Sequence, residues 1–534
     1  MERVHFKQKK IIVEDKRFQR KNTHFEVSTK VKYQQHQNQK NQRLYCMIFL
    51  PLILLLAKQI YHPAINIGNR KSFFGTIVAK KHHSFTCSRS MALNDEMDIL
   101  LHKFNIRTIT LFIKIDVTDF ETTNTLSRFE KQKMIKSKLE AKIEACANYA
   151  YNLKSHFEDF NYTVQTVRIA TNPFEEYLCN PNESFDVNDV SSRLSEFDAI
   201  LNKYDIQFCS LGPSNDPENI CNLCPLIVQS SPRFSCSANV GANDIKAAQA
   251  ASECVIKISK LGNGNQSHLD GGLGNFRFCS ASSCSDFIPF FPGAKCESFS
   301  NVEKLLLQDS ENIGFALGFE NGELVYDLLS QCQSVSNIPT MFKDGMIKAL
   351  KPIEQICETF TNEDSSPSNT FSYTYLGMDT SLNPSLSEHG SVAKAIETLA
   401  EVKSNFGGQG TLAAAAAITT TLQSLPLKMI GYCGLMLPVC EDVRLSELGK
   451  TEDLKITQLL CISSVCGVGV DTVPLSGTVS EDQIQSLMLD IAALAGRWNK
   501  SLSCRVFPIP NLKVGDKTDF DSPYLCNSCT FDLI

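Results

Sequence analysis

Short apolar runs alternate with longer amphipathic stretches from about residue 106 to the end of the chain. Most of these runs are apolar throughout, which is typical of strands buried on both faces of a parallel sheet with helices between them. The pattern therefore predicts an α/β fold. It indicates ten strands, beginning near Ile106, Thr163, Ile206, Phe234, Asn275, Ile313, Tyr373, Met429, Leu459 and Leu502.

Three of the amphipathic stretches carry clear helix signals. In "SEDQIQSLMLDIAALAGRW", Ser480 is a natural N-cap and Gln483 completes a capping box. The stretch "SVAKAIETLAEV" keeps its apolar side chains on one helical face. A third helix is predicted over "GTLAAAAAITTTLQSL", which is rich in the best helix former.

Charge divides the chain sharply near residue 90. Residues 1–90 hold 18 Lys and Arg against 4 Asp and Glu, which leaves 34 basic and 54 acidic residues in the remainder. An acidic body repels nucleic acid, so no nucleic-acid partner is expected. The basic arm is interpreted as a disordered extension, with contact to RNA or anionic lipid as the alternative.

Within the arm, residues 47–57 read "MIFLPLILLLA". About 20 apolar residues are needed to span a bilayer, so no stable membrane insertion is expected. The working polypeptide is expected to begin at Met91, which makes 1–90 an extension and 91–534 a single domain. The chain also has 21 cysteines at irregular spacings, many inside apolar runs. Free buried thiols of this kind favour a reducing, cytoplasmic compartment.

A first candidate for chemistry is "SSVCGVGVDTVPLSG", residues 463–477. The pattern suggests a strand ending in a flexible turn that carries one thiol. Cys466 beside glycine amides is a candidate nucleophile or acid, and Asp471 a candidate base or metal ligand. The alternative is a structural turn that contains a cysteine.

A second candidate is the glycine cluster of Gly407, Gly408 and Gly410, which runs directly into a predicted helix. Backbone N–H groups at a helix start suit a phosphate or a carboxylate. Close packing of the helix explains the glycines equally well. Asn275 and Arg277, interleaved with phenylalanines, are expected to line a cavity and to contact a ligand.

Carboxylates after predicted strands form a third group. Asp379 and Glu441 are candidate bases, because acids at the ends of barrel strands often serve in general acid–base chemistry. Asp442 and Asp519 are candidate ligands for Mg²⁺ or Ca²⁺, which prefer oxygen donors. Helix caps and salt bridges are the alternative roles.

Several blocks of the sequence occur in the same order in one known family. "FGGQGTLAAAAAIT", "GYCGLMLPVCED", "LLCISSVCGVGVDTVPLSG" and "GDKTDFDSPYLCNS" closely resemble it, and "IRTITLFI", "NFRF" and "PFFPGA" continue the match upstream. The chain is identified as a member of the domain of unknown function 711 family, often labelled pyruvate formate-lyase-like, from about residue 106 onward.

The resemblance implies a ten-stranded α/β barrel similar to pyruvate formate-lyase and anaerobic ribonucleotide reductase. In those enzymes a loop inserted into the barrel presents a catalytic cysteine, and Cys466 is the candidate here. No glycyl-radical motif precedes the C-terminus, so a glycyl radical is not expected. The resulting hypothesis is a cytoplasmic enzyme that acts on a small polar or anionic metabolite through a cavity cysteine. The alternative is a non-catalytic protein that binds a metabolite or a divalent metal, and a homodimer is compatible with either.

Overall fold

Nine strands form one mixed sheet in the part of the chain that this computed structural model describes. The described residues are 103–115, 128–179, 186–262, 264, 268–285, 287–296, 311–363, 371–466 and 468–533. The basic arm, the apolar run 47–57 and the expected start at Met91 lie outside them. The strands are β1 (Asn105–Ile113), β2 (Val164–Thr171), β3 (Phe208–Ser214), β4 (Phe234–Asn239), β5 (Phe278–Ser282), β6 (Glu311–Glu320), β7 (Phe371–Asp379), β8 (Gly469–Ser476) and β9 (Leu502–Ile509).

Helices connect most consecutive strands. Short 3-10 and π turns supplement them, including a 3-10 segment over Asp270–Arg277 just before β5. Within the described residues, no helix is long and apolar enough to cross a bilayer. The α-helices are α1 (Arg128–Asp159), α2 (Glu175–Leu178), α3 (Val187–Lys203), α4 (Pro217–Ser230), α5 (Ile245–Ser259), α6 (Gly322–Cys332), α7 (Lys343–Glu363), α8 (Val392–Glu397), α9 (Thr411–Leu422), α10 (Val443–Lys450), α11 (Ile456–Ser463) and α12 (Glu481–Trp498).

The sheet has the strand order β7-β6-β1-β2-β3-β4-β5-β9-β8. Strands β1 to β5 are parallel to one another, as are β6 with β7 and β8 with β9. The first of these three groups meets the other two in antiparallel pairs, β1 with β6 and β5 with β9. The predicted parallel α/β sheet is thus confirmed within each group. The helices bury one continuous apolar core against the sheet.

The opposite face of the sheet is covered by the segment 287–296, which follows β5. Thr110 Oγ1 on β1 donates a hydrogen bond to the Pro289 carbonyl at 2.8 Å, and Ser210 Oγ on β3 donates to the Ala294 carbonyl at 2.7 Å. The Cys296 amide donates to the Thr171 carbonyl at 2.9 Å. The segment therefore lies across three adjacent strands on the face away from the main core.

One strand prediction and one turn prediction were wrong, and one predicted strand began too early. The run near Leu459 is helix α11, because its apolar residues follow a helical spacing and Gln458 Oε1 accepts a hydrogen bond from the Lys455 amide at the helix start, at 2.5 Å. The glycine-rich residues after it, predicted as a turn, form β8. The strand predicted from Asn275 starts at Phe278.

The predicted strand near Met429, which would bring the number of strands to ten, is present only as single parallel bridges. They pair Met378 with Met429, Leu382 with Leu435, and Pro438 with Asp471. These bridges connect the end of β7 to the middle of β8 through the segment 429–438. Among the helices, the capping box of α12 is confirmed, with the Gln483 amide donating to Ser480 Oγ at 3.2 Å.

Candidate functional site

Three strands each bring one arginine to the face that the segment 287–296 covers. Arg107 lies on β1, Arg168 on β2 and Arg505 on β9, and each is the one charged residue of its strand. Their guanidinium groups line a cavity with an outer part of about 390 Å³ and an adjoining inner part of about 50 Å³. The outer volume is within the usual range for small-molecule sites.

Two of these arginines are fully engaged by carboxylates. Arg505 holds Asp471 through both oxygens, at 2.6 and 3.0 Å, and donates to Glu441 at 2.8 Å. Although burial alone lowers the pKa of Arg505, the Asp471 and Glu441 charges raise it on balance. Arg107 is bonded to Glu320 and lies 3.9 Å from Glu441. The guanidinium groups of Arg107 and Arg505 thus hold the carboxylates of Glu320, Glu441 and Asp471 in place.

Arg168 is different, because it has no carboxylate in contact among the described residues. Its Nε donates to Thr166 Oγ1 at 2.9 Å, and its guanidinium lies 5.1 Å from the ring centroid of Phe208 and 4.8 Å from that of Phe291. The side chain is 5% exposed, and burial together with Arg107 lowers its pKa to about 9. The two terminal nitrogens are left with no hydrogen-bond acceptor in the described structure, and the residue lines both parts of the cavity.

Glu441 and Asp471, two of the predicted bases, lie together in this cavity. Burial raises the pKa of Glu441, although Arg505 and Arg107 oppose the shift. A carboxyl group whose pKa is raised above its usual range is better suited to general acid–base chemistry. Asp471 precedes Thr472, whose φ of 44° is unusual for a β-branched residue and marks an irregular point in β8.

Asp379 is buried behind the cavity and organises a turn. It accepts hydrogen bonds from the amides of Tyr432 at 2.8 Å and Cys433 at 3.0 Å, and from Ser381 Oγ at 2.6 Å. Burial raises its pKa. Since Tyr432 lines the inner part of the cavity, the structure gives Asp379 a positioning role.

Cys466 is fully buried at the end of helix α11 and is not among the residues that line the cavity. Its carbonyl oxygen accepts a hydrogen bond from Lys500. Burial raises the pKa of the thiol, outweighing the Val468 and Gly469 amides that lower it. The cysteine that does line the cavity is Cys279 on β5, and burial raises the pKa of its thiol well above the usual range. Every cysteine among the described residues is free.

The predicted glycine site is explained by packing. Gly410 is the N-cap of α9 with a φ of 92°, and a Cβ there would overlap the Glu401 carbonyl. The Gly407 amide is already bonded to Thr411 Oγ1 at 3.1 Å, and a Cβ on Gly408 would collide with Ser404. These glycines permit a close approach of backbone segments.

Asn275 and Arg277 face away from the cavity. Arg277 Nη1 donates to the carbonyls of Val228 at 2.8 Å and Ser231 at 2.5 Å, and Asn275 Nδ2 donates to Val255 at 3.1 Å. The residue between them, Phe276, lines the cavity. The predicted alternation is present, but its polar side lies under the helices.

Asp442 caps two helices at once. It accepts from the Val392 amide at the start of α8 at 2.9 Å and from the Arg444 amide at the start of α10 at 2.9 Å, and Ser391 Oγ donates to it at 2.6 Å. Asp519 is exposed in the C-terminal segment. No group of three or more His, Cys, Asp or Glu with metal-binding geometry occurs among the described residues. Metal binding by these two carboxylates stays a prediction.

Sequence reasoning missed the three arginines and Glu320. A usable signal was present, since "NIRTITLFI", "VQTVRIAT" and "LSCRVFPI" each contain a single charged residue in an otherwise uncharged strand. A buried charge in such a strand is rare unless it is paired or functional.

The family model described as Uncharacterised ACR (DUF711) matches residues 97–522. The chain belongs to this family. Among similar DUF711 relatives, a UPF0210 protein of Pyrobaculum islandicum is 24% identical over 376 residues, which cover 68% of this chain and 77% of the relative. A UPF0210 protein of Clostridium perfringens is 32% identical over 147 residues, covering 27% of this chain and 32% of the relative. One from Oenococcus oeni is 30% identical over the same length and also matched over 32% of its own length.

Proposed function

We propose that this DUF711 protein is an enzyme that binds a small organic monoanion at Arg168 and transfers a proton through Glu441. The observation that carries the proposal is the buried Arg168 guanidinium, whose terminal nitrogens have no acceptor in the described structure. A guanidinium presents parallel N–H donors that match a carboxylate in two-point contact. A bound carboxylate would supply the counter-charge that Arg168 lacks.

The charge count of the cavity supports a monoanion. Its three guanidinium groups face three carboxylates, Glu320, Glu441 and Asp471. Glu320 and Asp471 are held in direct ion pairs with Arg107 and Arg505. When Glu441 is protonated, one positive charge remains uncompensated, and a single carboxylate neutralises it.

Glu441 is the residue proposed for proton transfer. It lies in both parts of the cavity beside Arg168 and Arg107, so a carboxylate on Arg168 would place its neighbouring atoms close to Glu441. Protonation of Glu441 favours binding, and in the fraction of complexes in which Glu441 is ionised it can accept a proton from a carbon or heteroatom of the ligand and afterwards return that proton. Thiol chemistry is a weaker candidate, because burial keeps the Cys279 thiol protonated.

A non-catalytic binding protein with the same site is the second candidate. It is favoured by the ion pairs that hold Asp471 and Glu320, since a locked carboxylate serves structure better than proton transfer. Binding of a divalent metal is a further form of that alternative.

Two broader proposals accompany this one. We propose that the segment 429–438 acts as a tenth strand and closes the sheet into a barrel like that of pyruvate formate-lyase; the parallel bridges to β7 and β8 support this. We also propose a reducing, cytoplasmic location, supported by the free cysteines of the described residues.

The test uses a panel of small monocarboxylates with thermal denaturation and calorimetry as the readouts. A ligand that binds the native state raises the melting temperature. Arg168→Met should weaken binding about 10- to 100-fold, because a charge-assisted hydrogen-bond pair is lost. Arg168→Lys should retain part of the affinity. Arg233→Met, which removes an arginine paired with Asp198 away from the cavity, should bind normally.

Catalysis is tested separately by proton exchange of the bound acid in heavy water, followed by NMR. Glu441→Gln should abolish exchange while the acid still binds. Binding that depends on Arg168 without any exchange in the native protein would favour the non-catalytic alternative. Equal binding by the native protein and Arg168→Met would contradict the proposal.

A further inference from the structure

The outer part of the cavity is lined by aromatic rings. Phe208 and Phe291 are stacked with centroids 4.9 Å apart and planes at 13°. Phe276 and Tyr524 are nearly parallel at 12° with centroids 6.2 Å apart. Phe276 also meets the edge of Phe291 at 5.4 Å. Four rings from β3, the segment 287–296, the 3-10 segment before β5 and the C-terminal segment therefore converge on one space.

The protein leaves these four rings partly exposed to solvent. Phe208, Phe276 and Phe291 are only partly buried although they line the cavity, and Tyr524 is 42% exposed. Leu386, at 40% exposure, lies across the same space. Leaving apolar surface in contact with water costs about 25 cal/mol of free energy per Å². A flat apolar group of a ligand that covers these rings would therefore be stabilised by the contact.

The inner part is small, and its lining combines charged side chains with apolar ones. Its volume of about 50 Å³ has room for a few atoms of the size of water, which suits a carboxylate and excludes a ring. Asp471, Arg505, Asn383 and Ser503 contribute to its lining. Arg168 lines both parts, so its free donors lie where the charged inner space meets the aromatic outer space.

We infer that the ligand is a monocarboxylate with an aromatic or similarly flat unsaturated body. Its carboxylate would bond to Arg168 at the junction of the two parts, and its body would lie among Phe208, Phe276, Phe291 and Tyr524. This inference rests on the proposed function, since it assigns the carboxylate to the same guanidinium. It adds the class of acid, which the charge count alone does not give.

The ligand panel for the test varies one property at a time. The reference is 3-phenylpropanoate. Its comparators are 3-cyclohexylpropanoate, which has a non-planar ring, pentanoate, which has no ring, 3-phenylpropan-1-ol, which has no charge, and 2-phenylethyl phosphate, which has a higher charge. Calorimetry on the full-length protein should rank 3-phenylpropanoate first. The alcohol and the phosphate should each bind at least about tenfold more weakly, because one lacks the ion pair with Arg168 and the other exceeds the available charge.

Matched variants report on the rings. Tyr524→Leu and Phe276→Leu keep an apolar side chain but remove the ring, and should weaken 3-phenylpropanoate about two- to tenfold while leaving pentanoate unchanged. Tyr524 is the safer site, because substitution of an exposed side chain has little effect on folding. Phe160→Leu, at a ring that is 49% exposed outside the cavity, is the control and should change neither affinity.

Three results would overturn the inference. Pentanoate or 3-cyclohexylpropanoate could bind as tightly as 3-phenylpropanoate, with Tyr524→Leu silent; if that binding still depends on Arg168, the proposed function stands and only the aromatic class is wrong. Tighter binding of the phosphate would contradict the charge argument. If none of the acids binds, or if Arg168→Met binds them all normally, the proposed function fails together with the inference.

Discussion

Arg168 combines deep burial with an incomplete set of partners. Burying an unpaired cation costs several kcal/mol of free energy, and contact with aromatic faces offsets only about 0.5–2 kcal/mol of that cost. The two rings beside it, Phe208 and Phe291, therefore do not explain the residue by themselves. A bound anion would offset the remainder, which is the physical reason for placing the ligand there.

Glu441 gives a prediction about pH. Burial raises its pKa, so the folded protein keeps this proton at pH values where the unfolded chain has lost it. Affinity for a monocarboxylate should fall as the pH rises through the raised pKa of Glu441, because ionised Glu441 repels the ligand. The stability that the proton contributes is fully present below the unfolded pKa and is lost as the pH rises through the folded pKa.

Calorimetry at a series of pH values would measure the affinity, and thermal denaturation at the same pH values would measure the stability. Glu441→Gln should flatten both profiles. Glu447→Gln, at an exposed glutamate outside the cavity, should leave them as they are in the native protein. Profiles of Glu441→Gln that still follow the native ones would show that another group titrates.

Cys466 and Cys461 give a prediction about reactivity. The amides expected near Cys466 are present, but burial outweighs them and raises the pKa of its thiol. Cys461, one turn earlier in α11, is exposed. Because alkylation needs an accessible thiolate, iodoacetamide at neutral pH should modify Cys461 first. Cys466 should react as slowly as Cys504, contrary to what a working nucleophile requires.

Peptide mass mapping over time would measure these rates. In Cys461→Ser the fast phase should disappear. Early labelling of Cys466 in that variant would restore the hypothesis of a catalytic thiol in this stretch.

Strand β8 depends on a close approach to its neighbour β9. Gly469 has a φ of 103°, and a Cβ at this position would overlap the Ser503 carbonyl oxygen. Ser503 lines the inner part of the cavity, as does Asp471 two residues after Gly469. The glycine thus lets β8 approach β9 where both contribute to the site.

Gly469→Ala should lower the free energy of unfolding by about 3 kcal/mol or more, because backbone strain and steric overlap act together. Gly515→Ala is a matched control, since Gly515 also has a positive φ of 83° but has nothing within 4 Å of the added methyl group. It should cost only about 1 kcal/mol. Urea unfolding would compare the two, and equal losses would show that the contact with Ser503 has no role.

At the scale of the whole molecule, the cavity lies where strands β1 to β5 meet the two flanking pairs of parallel strands. Arg107 and Glu320 face each other across the antiparallel pair of β1 and β6. Cys279 and Arg505 belong to the other antiparallel pair, β5 and β9. All three groups of parallel strands therefore contribute residues to the lining of the cavity. The segment 287–296 covers this region and presents Phe291 to the cavity.

The amino-acid sequence by itself determined the α/β class, the family and the capped helices. These depend on local patterns: continuous apolar runs, glycine and proline boundaries, and capping residues such as Ser480 with Gln483. It failed near Leu459, where a short apolar run is compatible with either a helix or a strand, and tertiary contacts decide between them. It also singled out Glu441, because an acid just past a strand is an informative pattern, and Asp471; the fold brings both into one cavity.

Only the tertiary structure decided which charges meet. Arg168 and Arg505 are 337 positions apart in the numbering, yet both line one cavity because β2 and β9 belong to the same sheet. The same long-range pairing turned Asn275 and Arg277 toward the helices and left Phe276 facing the cavity. A period-two sequence pattern specifies only that the two faces of a strand differ. Which face becomes the site is determined by the helices that pack on one side of the sheet and the segment 287–296 that packs on the other.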